Sequence, residues 1–134
     1  MAVLVSDSSV LIDLERGGLL PAAFQCGHTL VVPDLLYQAE LEAYNGLYLQ
    51  ELGLGVLELT PDEVQLAQDV ASARLPLSLE DCFALACATR VDHTLLAGDG
   101  PLRAEATARD VPCRGLLWLL DQMLSSGNVT AAAL

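Results

Sequence analysis

Two acidic residues directly follow apolar runs of the sequence, a position where a carboxylate contributes little to core packing and can take part in binding or catalysis. Asp7 ends the run Val3-Leu4-Val5-Ser6, and Asp99 ends the run Thr94-Leu95-Leu96-Ala97-Gly98. In an open parallel sheet, the carboxyl ends of the strands gather at one crevice, where ligands bind. If both runs are strands of such a sheet, the two carboxylates lie near each other in that crevice.

Two further acids accompany helix-like segments. Glu40 lies inside a helix-like stretch after Pro33, and Asp81 opens the apolar stretch 82–88. Carboxylates that converge repel one another unless a cation holds them, and hard oxygen ligands suit Mg²⁺ or Mn²⁺. Such an ion activates water and neutralises the charge that develops on a phosphate during in-line displacement. The pattern therefore predicts a catalytic metal site formed by Asp7, Glu40, Asp81 and Asp99.

Individual roles follow from the positions of these acids. Asp7 and Asp99 are expected to be direct ligands, and Asp81 lies at a helix N-terminus, where the macrodipole favours its ionised form. Glu40 ligates through water or orients the attacking water. A structural alternative stays open, because Asp81 and Asp99 taken alone also suit helix caps and turns at strand ends.

Ser9 follows Asp7 by two residues and has two interpretations. Its hydroxyl is placed to donate to a phosphate oxygen or to a ligand carboxylate, and either Ser8 or Ser9 suits the N-cap of the helix that follows. Arg103 belongs to a group of three arginines, with Arg109 and Arg114, just after Asp99. We predict that this group is either a basic patch that orients substrate beside the acidic crevice or ordinary solvated surface.

The elements that must position these residues alternate along the chain. Alternating apolar strands and amphipathic helices are typical of βαβ units and of a parallel sheet covered on both faces, so the predicted class is α/β. A capping box at Thr60 and Glu63 marks one helix start. Strands are predicted at 2–6, 29–32, 55–59, 94–98 and 111–113, and helices at 9–16, 19–24, 34–43, 47–52, 61–74, 79–90, 101–109 and 116–125.

Composition sets the frame for these elements. The 134 residues are 53% hydrophobic and 18% charged, which predicts one compact domain over 1–134, with 131–134 as a tail that frays. The sequence has neither a positively charged leader nor an apolar run of roughly 18 residues, so we expect a cytoplasmic protein without a membrane span.

Several other chemistries are disfavoured. The four cysteines form no C-x-x-C pair, only two histidines occur, and buried free thiols are therefore expected rather than a zinc site. The sequence contains no lysine, which excludes a P-loop, and no G-x-G-x-x-G follows the first strand. The net charge of −12 is unfavourable for binding a polyanion.

Four segments together resemble one known family, the PIN domains, and most closely the small VapC-type toxins. The first is an apolar strand followed by Asp-x-Ser and an apolar helix, and the second is a helix led by Pro with an internal acid. The third and fourth contain the two later acids. In chain order the segments are residues 3–13, 32–41, 77–86 and 95–103.

This resemblance implies a central parallel sheet of four or five strands with helices on both faces. It also implies a Mg²⁺ or Mn²⁺ site, endoribonuclease activity on structured RNA, a homodimer, and a cognate antitoxin protein that blocks the site. The apolar, tyrosine-rich stretch 37–54 is expected to supply either the dimer contact or part of the core.

The sequence also departs from the family's pattern. Many relatives carry Thr or Ser two residues before the fourth acid and another acid two residues after it, where this chain has Ala97 and Pro101. Glu42 and Glu80 compete with Glu40 and Asp81 for the site roles, and alignment with the motifs favours the latter pair. The alternative function is a non-catalytic PIN-like protein-interaction module.

Overall fold

The computed structural model describes residues 2–73, 76–98 and 100–127. Its strands are β1 (Val3–Ser6), β2 (Thr29–Pro33), β3 (Gly55–Leu57), β4 (His93–Leu96) and β5 (Cys113–Arg114). Its helices are α1 (Ser8–Arg16), α2 (Leu20–Ala23), α3 (Asp34–Leu36), α4 (Gly46–Leu52), α5 (Pro61–Ser72), α6 (Leu79–Cys87), α7 (Gly100–Ala108) and α8 (Leu116–Ser125). A π-helical turn, Tyr37–Leu41, follows α3 directly.

The strands form one parallel sheet with the order β3-β2-β1-β4-β5. β1 is central, and its residue Val5 pairs with Val31 on one side and Leu95 on the other. Leu4 and Val5 are both fully buried. Because successive side chains of a strand point to opposite faces, both faces of the sheet are covered. The predicted α/β class with a central parallel sheet is confirmed, and the sheet has five strands.

Helices pack on the sheet, and the common direction of the strands defines its two ends. α5 packs on α6, which in turn contacts β1 and β2, whereas α2 packs on α1 and α8. Since all strands are parallel, their carboxyl ends lie at one edge of the sheet, and their amino ends lie at the opposite edge. We refer to these as the carboxyl edge and the amino edge.

The predicted capping box at the start of α5 is present. Thr60 Oγ1 accepts from Glu63 N at 3.2 Å, and Thr60 N donates to Glu63 Oε1 at 2.9 Å. The Glu63 carboxylate also binds Arg90, whose Nε lies 2.7 Å from Oε2. A second Arg90 nitrogen donates to the Glu58 carbonyl at 2.7 Å. One carboxylate thus closes the helix start and ties α5 to the segment before β4.

Two local predictions were wrong around the second acidic segment. In place of one helix over 34–43, α3 is followed by the π turn, in which Glu42 N donates to the Tyr37 carbonyl at 2.8 Å. Gly46, which lies outside both predicted helices, 34–43 and 47–52, is the first residue of α4. It is buried against the Tyr37 ring, where a side chain would collide. Packing of Tyr37 on Gly46 accompanies this altered winding.

The N-cap of α1 was also predicted wrongly. Asp7, rather than Ser8 or Ser9, occupies the cap position with an extended backbone, and Ser8 is the first helical residue. Asp7 Oδ1 accepts from Val10 N at 2.9 Å, which satisfies one of the free amides of the first turn. The acid predicted to be a ligand is therefore also the cap.

Other boundaries moved by a few residues. β3 ends at Leu57 rather than 59, α6 ends at Cys87 rather than 90, and β5 follows Pro112 instead of containing it. Pro112 has no N–H to donate, although its carbonyl accepts from Leu95 N at 2.8 Å. The predicted tail 131–134 lies outside the described residues. No helix in the described ranges is long and apolar enough to cross a membrane.

Candidate functional site

Asp7 is the best-fixed acid at the carboxyl edge. It follows β1 directly, is 1% exposed, and donates its backbone N–H to the Leu96 carbonyl at 3.0 Å. Its Oδ2 accepts from Gly98 N at 3.3 Å, while Oδ1 caps α1. Burial raises the pKa of Asp7, and the amides of Val10 and Gly98 partly oppose that increase. The side chain is therefore a costly buried carboxyl, held in one orientation by two elements.

Glu40 approaches the same edge from the π turn. It is an exposed residue, and the Ser8 hydroxyl donates to its carboxylate. Burial raises the pKa of Glu40, and the negative charges of Glu80, Asp81 and Asp7 raise it further. π turns are frequent at functional sites because the extra residue redirects a side chain.

Asp81 is the third residue of α6 and completes a capping box with Ser78. Asp81 N donates to Ser78 Oγ at 3.0 Å, and Ser78 N donates to Asp81 Oδ2 at 3.3 Å. The capping role that the sequence left open is therefore real. The charge of Asp81 also raises the pKa of both Asp7 and Glu40, so the three carboxyls lie within electrostatic reach of one another.

Asp99, the fourth predicted ligand, lies outside the described residues. The residue before it, Gly98, reaches the site through its hydrogen bond to Asp7. Among the described residues, no three Asp, Glu, His or Cys side chains come close enough to form a complete set of metal ligands. A Mg²⁺ site commonly uses only one or two carboxylates and keeps several waters. The oxygen donors of Asp7 and Glu40 suit such a partly hydrated ion.

Ser9 lies on the exposed side of α1, and its hydroxyl donates to the Asp7 carboxylate. Arg103 is exposed on α7, close enough to the Cys113 thiol on β5 to affect the pKa of that thiol. Burial raises the pKa of that thiol, and the nearby Arg103 opposes the effect. Both residues thus lie at the carboxyl edge, Ser9 on the Asp7 side and Arg103 on the β5 side.

The sequence analysis considered Ser8 only as a helix cap, and it ranked Glu80 below Asp81. Ser8 is 9% exposed and contacts Glu40, and Glu80 lies close enough to Glu40 to raise its pKa. The only local signal for Ser8 is its place directly after the strand-ending acid, where the first turn of α1 turns inward. Glu42, the other competitor, is exposed just beyond the π turn.

Comparisons with known proteins agree with this architecture. A family model described as a PIN domain matches residues 3–133. A solved PilT N-terminus domain protein from the hyperthermophilic archaeon Sulfolobus solfataricus is similar, with a TM-score of 0.62 and 16% sequence identity. The match covers 92% of this chain and 94% of that chain, and at this identity it shows the shared fold alone. No curated protein matches the sequence.

Proposed function

The chain belongs to the PIN domain family, and on that premise we propose that it is a Mg²⁺- or Mn²⁺-dependent endoribonuclease. PIN domains as a class are nuclease folds that use divalent metals. The proposal adds that this chain hydrolyses RNA phosphodiester bonds at the carboxyl edge, where Asp7, Glu40, Asp81 and Asp99 hold the ion. It treats residues 1–134 as one PIN domain.

The observation that carries the proposal is the buried carboxyl of Asp7 at the carboxyl edge, with the carboxyls of Glu40 and Asp81 close enough to affect its charge or be affected by it. The pKa of Asp7 is raised by its burial and by Asp81, and that of Glu40 by its burial and by Glu80, Asp81 and Asp7. Asp7 and Asp81 also cap helices, and a divalent cation bound by the carboxylates would remove the repulsion among them. Carboxyl groups whose pKa is raised by burial and by neighbouring acids are typical of functional sites.

The residues contribute in different ways to the reaction. A bound divalent ion would lower the pKa of water and neutralise charge on the phosphate. Asp7 is held ready by the amides of Val10 and Gly98 and by the Ser9 hydroxyl. Glu40, exposed and with a raised pKa, is suited to take a proton from the attacking water.

Finer parts of the proposal concern partners. We propose that the protein is the toxin of a toxin–antitoxin pair of the VapC type, acts in the cytoplasm, and forms a homodimer. Tyr44 is 60% exposed, Leu47 70% and Tyr48 45%, which leaves an apolar surface on and before α4 for a second copy. Leu49 of the same helix is fully buried, so that part of the stretch is core. A concentration-independent monomer mass in light scattering would contradict the dimer.

A second candidate is a non-catalytic PIN-like module that binds another protein. Ala97 and Pro101 replace polar and acidic residues found in many relatives, and the net charge of −12 disfavours free RNA. An acidic crevice also attracts an arginine of a protein partner.

One experiment separates the two candidates. Cleavage of a mixed pool of structured RNA is measured with Mg²⁺ or Mn²⁺, with EDTA, and with the variant Asp7→Asn. Asparagine also caps helices, so this variant keeps the start of α1 while removing the charge. Cleavage should be lost with EDTA and should fall at least about 100-fold in Asp7→Asn.

The matched control is Asp62→Asn, which removes an exposed carboxylate in the first turn of α5. It should cleave like the wild type. Absence of cleavage with either metal, from a folded and partner-free sample, would contradict the nuclease and favour the interaction module.

A further inference from the structure

A second feature of the carboxyl edge lies beside the acids, toward β5. A cavity of about 410 Å³ opens between the end of β4, α7, β5 and the start of α8. Ligand pockets in proteins measure roughly 300–1,000 Å³, so this cavity can hold a nucleotide-sized group. The residues that line it and matter here are Asp13, Gly98, Arg103, Arg114 and Trp118.

The cavity has a positive lining in a strongly negative protein. Among the described residues that line it, Arg103 and Arg114 face the one carboxylate of Asp13. In the described part of the chain, the ion pairs are Arg90 with Glu63 and Arg109 with Glu105, so neither cavity arginine is paired with a carboxylate there. Two guanidinium groups that share a cavity favour an anionic ligand, and their planar forks suit phosphate oxygens.

Trp118 holds one of these arginines in place. The Arg114 guanidinium carbon lies 5.6 Å from the centroid of the Trp118 ring, a cation–π distance. The indole packs at 5.4 Å against the His28 ring, which is fixed by Gln122 Oε1 at 2.9 Å and by Ala2 N at 3.0 Å. Arg114 therefore loses less side-chain freedom when it binds a ligand.

The cavity and the acidic site share a wall. Gly98 lines the cavity, and its N–H donates to Asp7 Oδ2. Arg103 lowers the pKa of the Cys113 thiol and Asp7 raises it. Both the guanidinium and the buried acid therefore lie near this thiol. A polymer whose phosphate faces Asp7 can therefore reach the cavity with an adjoining phosphate.

We propose that this cavity binds the RNA backbone next to the phosphate that is cleaved. Arg103 and Arg114 bind the adjoining phosphodiester, and Trp118 is a positioning residue for Arg114. This inference rests on the proposed ribonuclease function and assigns part of its substrate path. It also gives an acidic protein a place where RNA binding is electrostatically favourable. The charge needed is local, because salt screens more distant carboxylates at about 10 Å in 0.1 M salt.

The test measures binding separately from cleavage. A fluorescent single-stranded RNA is titrated with Asp7→Asn protein in EDTA, and anisotropy is recorded between low and moderate salt. Arg103→Gln and Arg114→Gln should each weaken binding several-fold. Each should also reduce the slope of log affinity against log salt by about 0.7, the value for one phosphate contact to a single strand. Arg16→Gln, which changes an exposed arginine at the end of α1, is the matched control and should bind like the parent.

The test of Trp118 needs a measurement that general destabilisation of the fold would not change. Trp118→Leu should weaken RNA binding in the parent but have little further effect in an Arg114→Gln background, as a double-mutant cycle measures. Equal losses in both backgrounds would overturn the positioning role.

The outcomes distinguish this inference from the nuclease proposal. If Arg103→Gln and Arg114→Gln bind RNA like the parent while the wild type cleaves RNA, the cavity assignment is overturned and the nuclease stands. If both variants weaken binding but the wild type never cleaves, the cavity assignment stands and the nuclease fails. A fluorescent acidic peptide is titrated in parallel. Arginine-dependent binding of that peptide, without binding of RNA, would overturn the inference in favour of a protein ligand.

Discussion

The two edges of the sheet differ in whether the arginines of their cavities are paired with carboxylates in the described part of the chain. At the amino edge, a cavity of about 720 Å³ contains Arg90 and Arg109, and each forms an ion pair at 2.7 Å with a glutamate. The smaller cavity of about 410 Å³ at the carboxyl edge contains Arg103 and Arg114, which have no such pairing among the described residues. The size of a cavity therefore does not identify the site in this molecule.

The acids differ in the same way. Arg90 donates to Glu63 and lowers the pKa of that carboxyl, whereas burial and neighbouring negative charges raise the pKa of Glu40. The two arginines of the amino-edge cavity are each paired with a glutamate of the protein itself. At the carboxyl edge the acids raise one another's pKa, which is a pattern typical of functional sites.

The largest expected effect tests whether a cation neutralises the carboxyl edge. Mn²⁺ at 100 times its dissociation constant should raise the free energy of unfolding by about 2.7 kcal/mol. Urea unfolding with Mn²⁺ and with EDTA measures the difference. Asp7→Asn should lose most of it, whereas Arg109→Gln at the amino edge should keep it. An equal gain in Asp7→Asn would place the ion elsewhere.

The next effect concerns the neutralised charges of the amino edge. Arg90→Met should destabilise the protein by about 1.5–3 kcal/mol, because it removes charged hydrogen bonds to Glu63 and a bond to the Glu58 carbonyl. The midpoint of urea unfolding measures it. Arg16→Met, at an exposed position outside these ion pairs, should change stability by less than about 0.5 kcal/mol. Equal stability of the two variants would show that the Glu63 pair does not stabilise the fold.

The same change, Glu to Gln, should have opposite effects on stability at Glu63 and at Glu40. Glu63→Gln should destabilise by about 1 kcal/mol because Arg90 loses its charged partner. Glu40→Gln should stabilise by a few tenths of a kcal/mol in EDTA, because it removes a like charge and keeps an acceptor for Ser8. Thermal melts in EDTA compare the two variants. A destabilised Glu40→Gln would contradict the repulsion inferred at the carboxyl edge.

The smallest effect is a pH dependence at the amino edge. Arg90 lowers the pKa of Glu63 below its ordinary value of 4.5. The folded state therefore binds this proton less readily than the unfolded chain. The stabilisation is present above pH 4.5 and is lost as the pH falls through the lowered pKa of the folded state. The Tm difference between wild type and Glu63→Gln should shrink over that range, and a constant difference would contradict the linkage.

Much of the fold was predictable from local patterns. Short apolar strands alternating with amphipathic helices were sufficient for an α/β class, and the Thr60–Glu63 capping box was evident because its two residues are three positions apart. The π turn was not evident from the sequence. Its first residue, Tyr37, packs against Gly46, which is nine positions further along the chain. A helical pattern over 34–43 contains no signal for that contact.

The candidate site divides in the same manner. Sequence position singled out Asp7, Glu40 and Asp81, and the structure brings their charges within reach of one another, but their catalytic and metal-binding roles stay predictions. Asp99 stays a prediction. The double use of Asp7 as cap and buried acid was missed, as was the contact of Ser8 with Glu40. Both depend on where α1 begins, and boundaries are the weakest part of a sequence-based prediction.

The sequence by itself determined the class of fold, the PIN resemblance and the acids that follow apolar runs, because periodicity and caps are properties of neighbouring residues. Only the tertiary structure decided which charges are neutralised. Glu63 meets Arg90 across 27 positions, and Asp7 meets the Gly98 amide across 91. Strand order and helix packing determine which residues become such partners. The difference between the amino edge and the carboxyl edge therefore exists only once the sheet has formed.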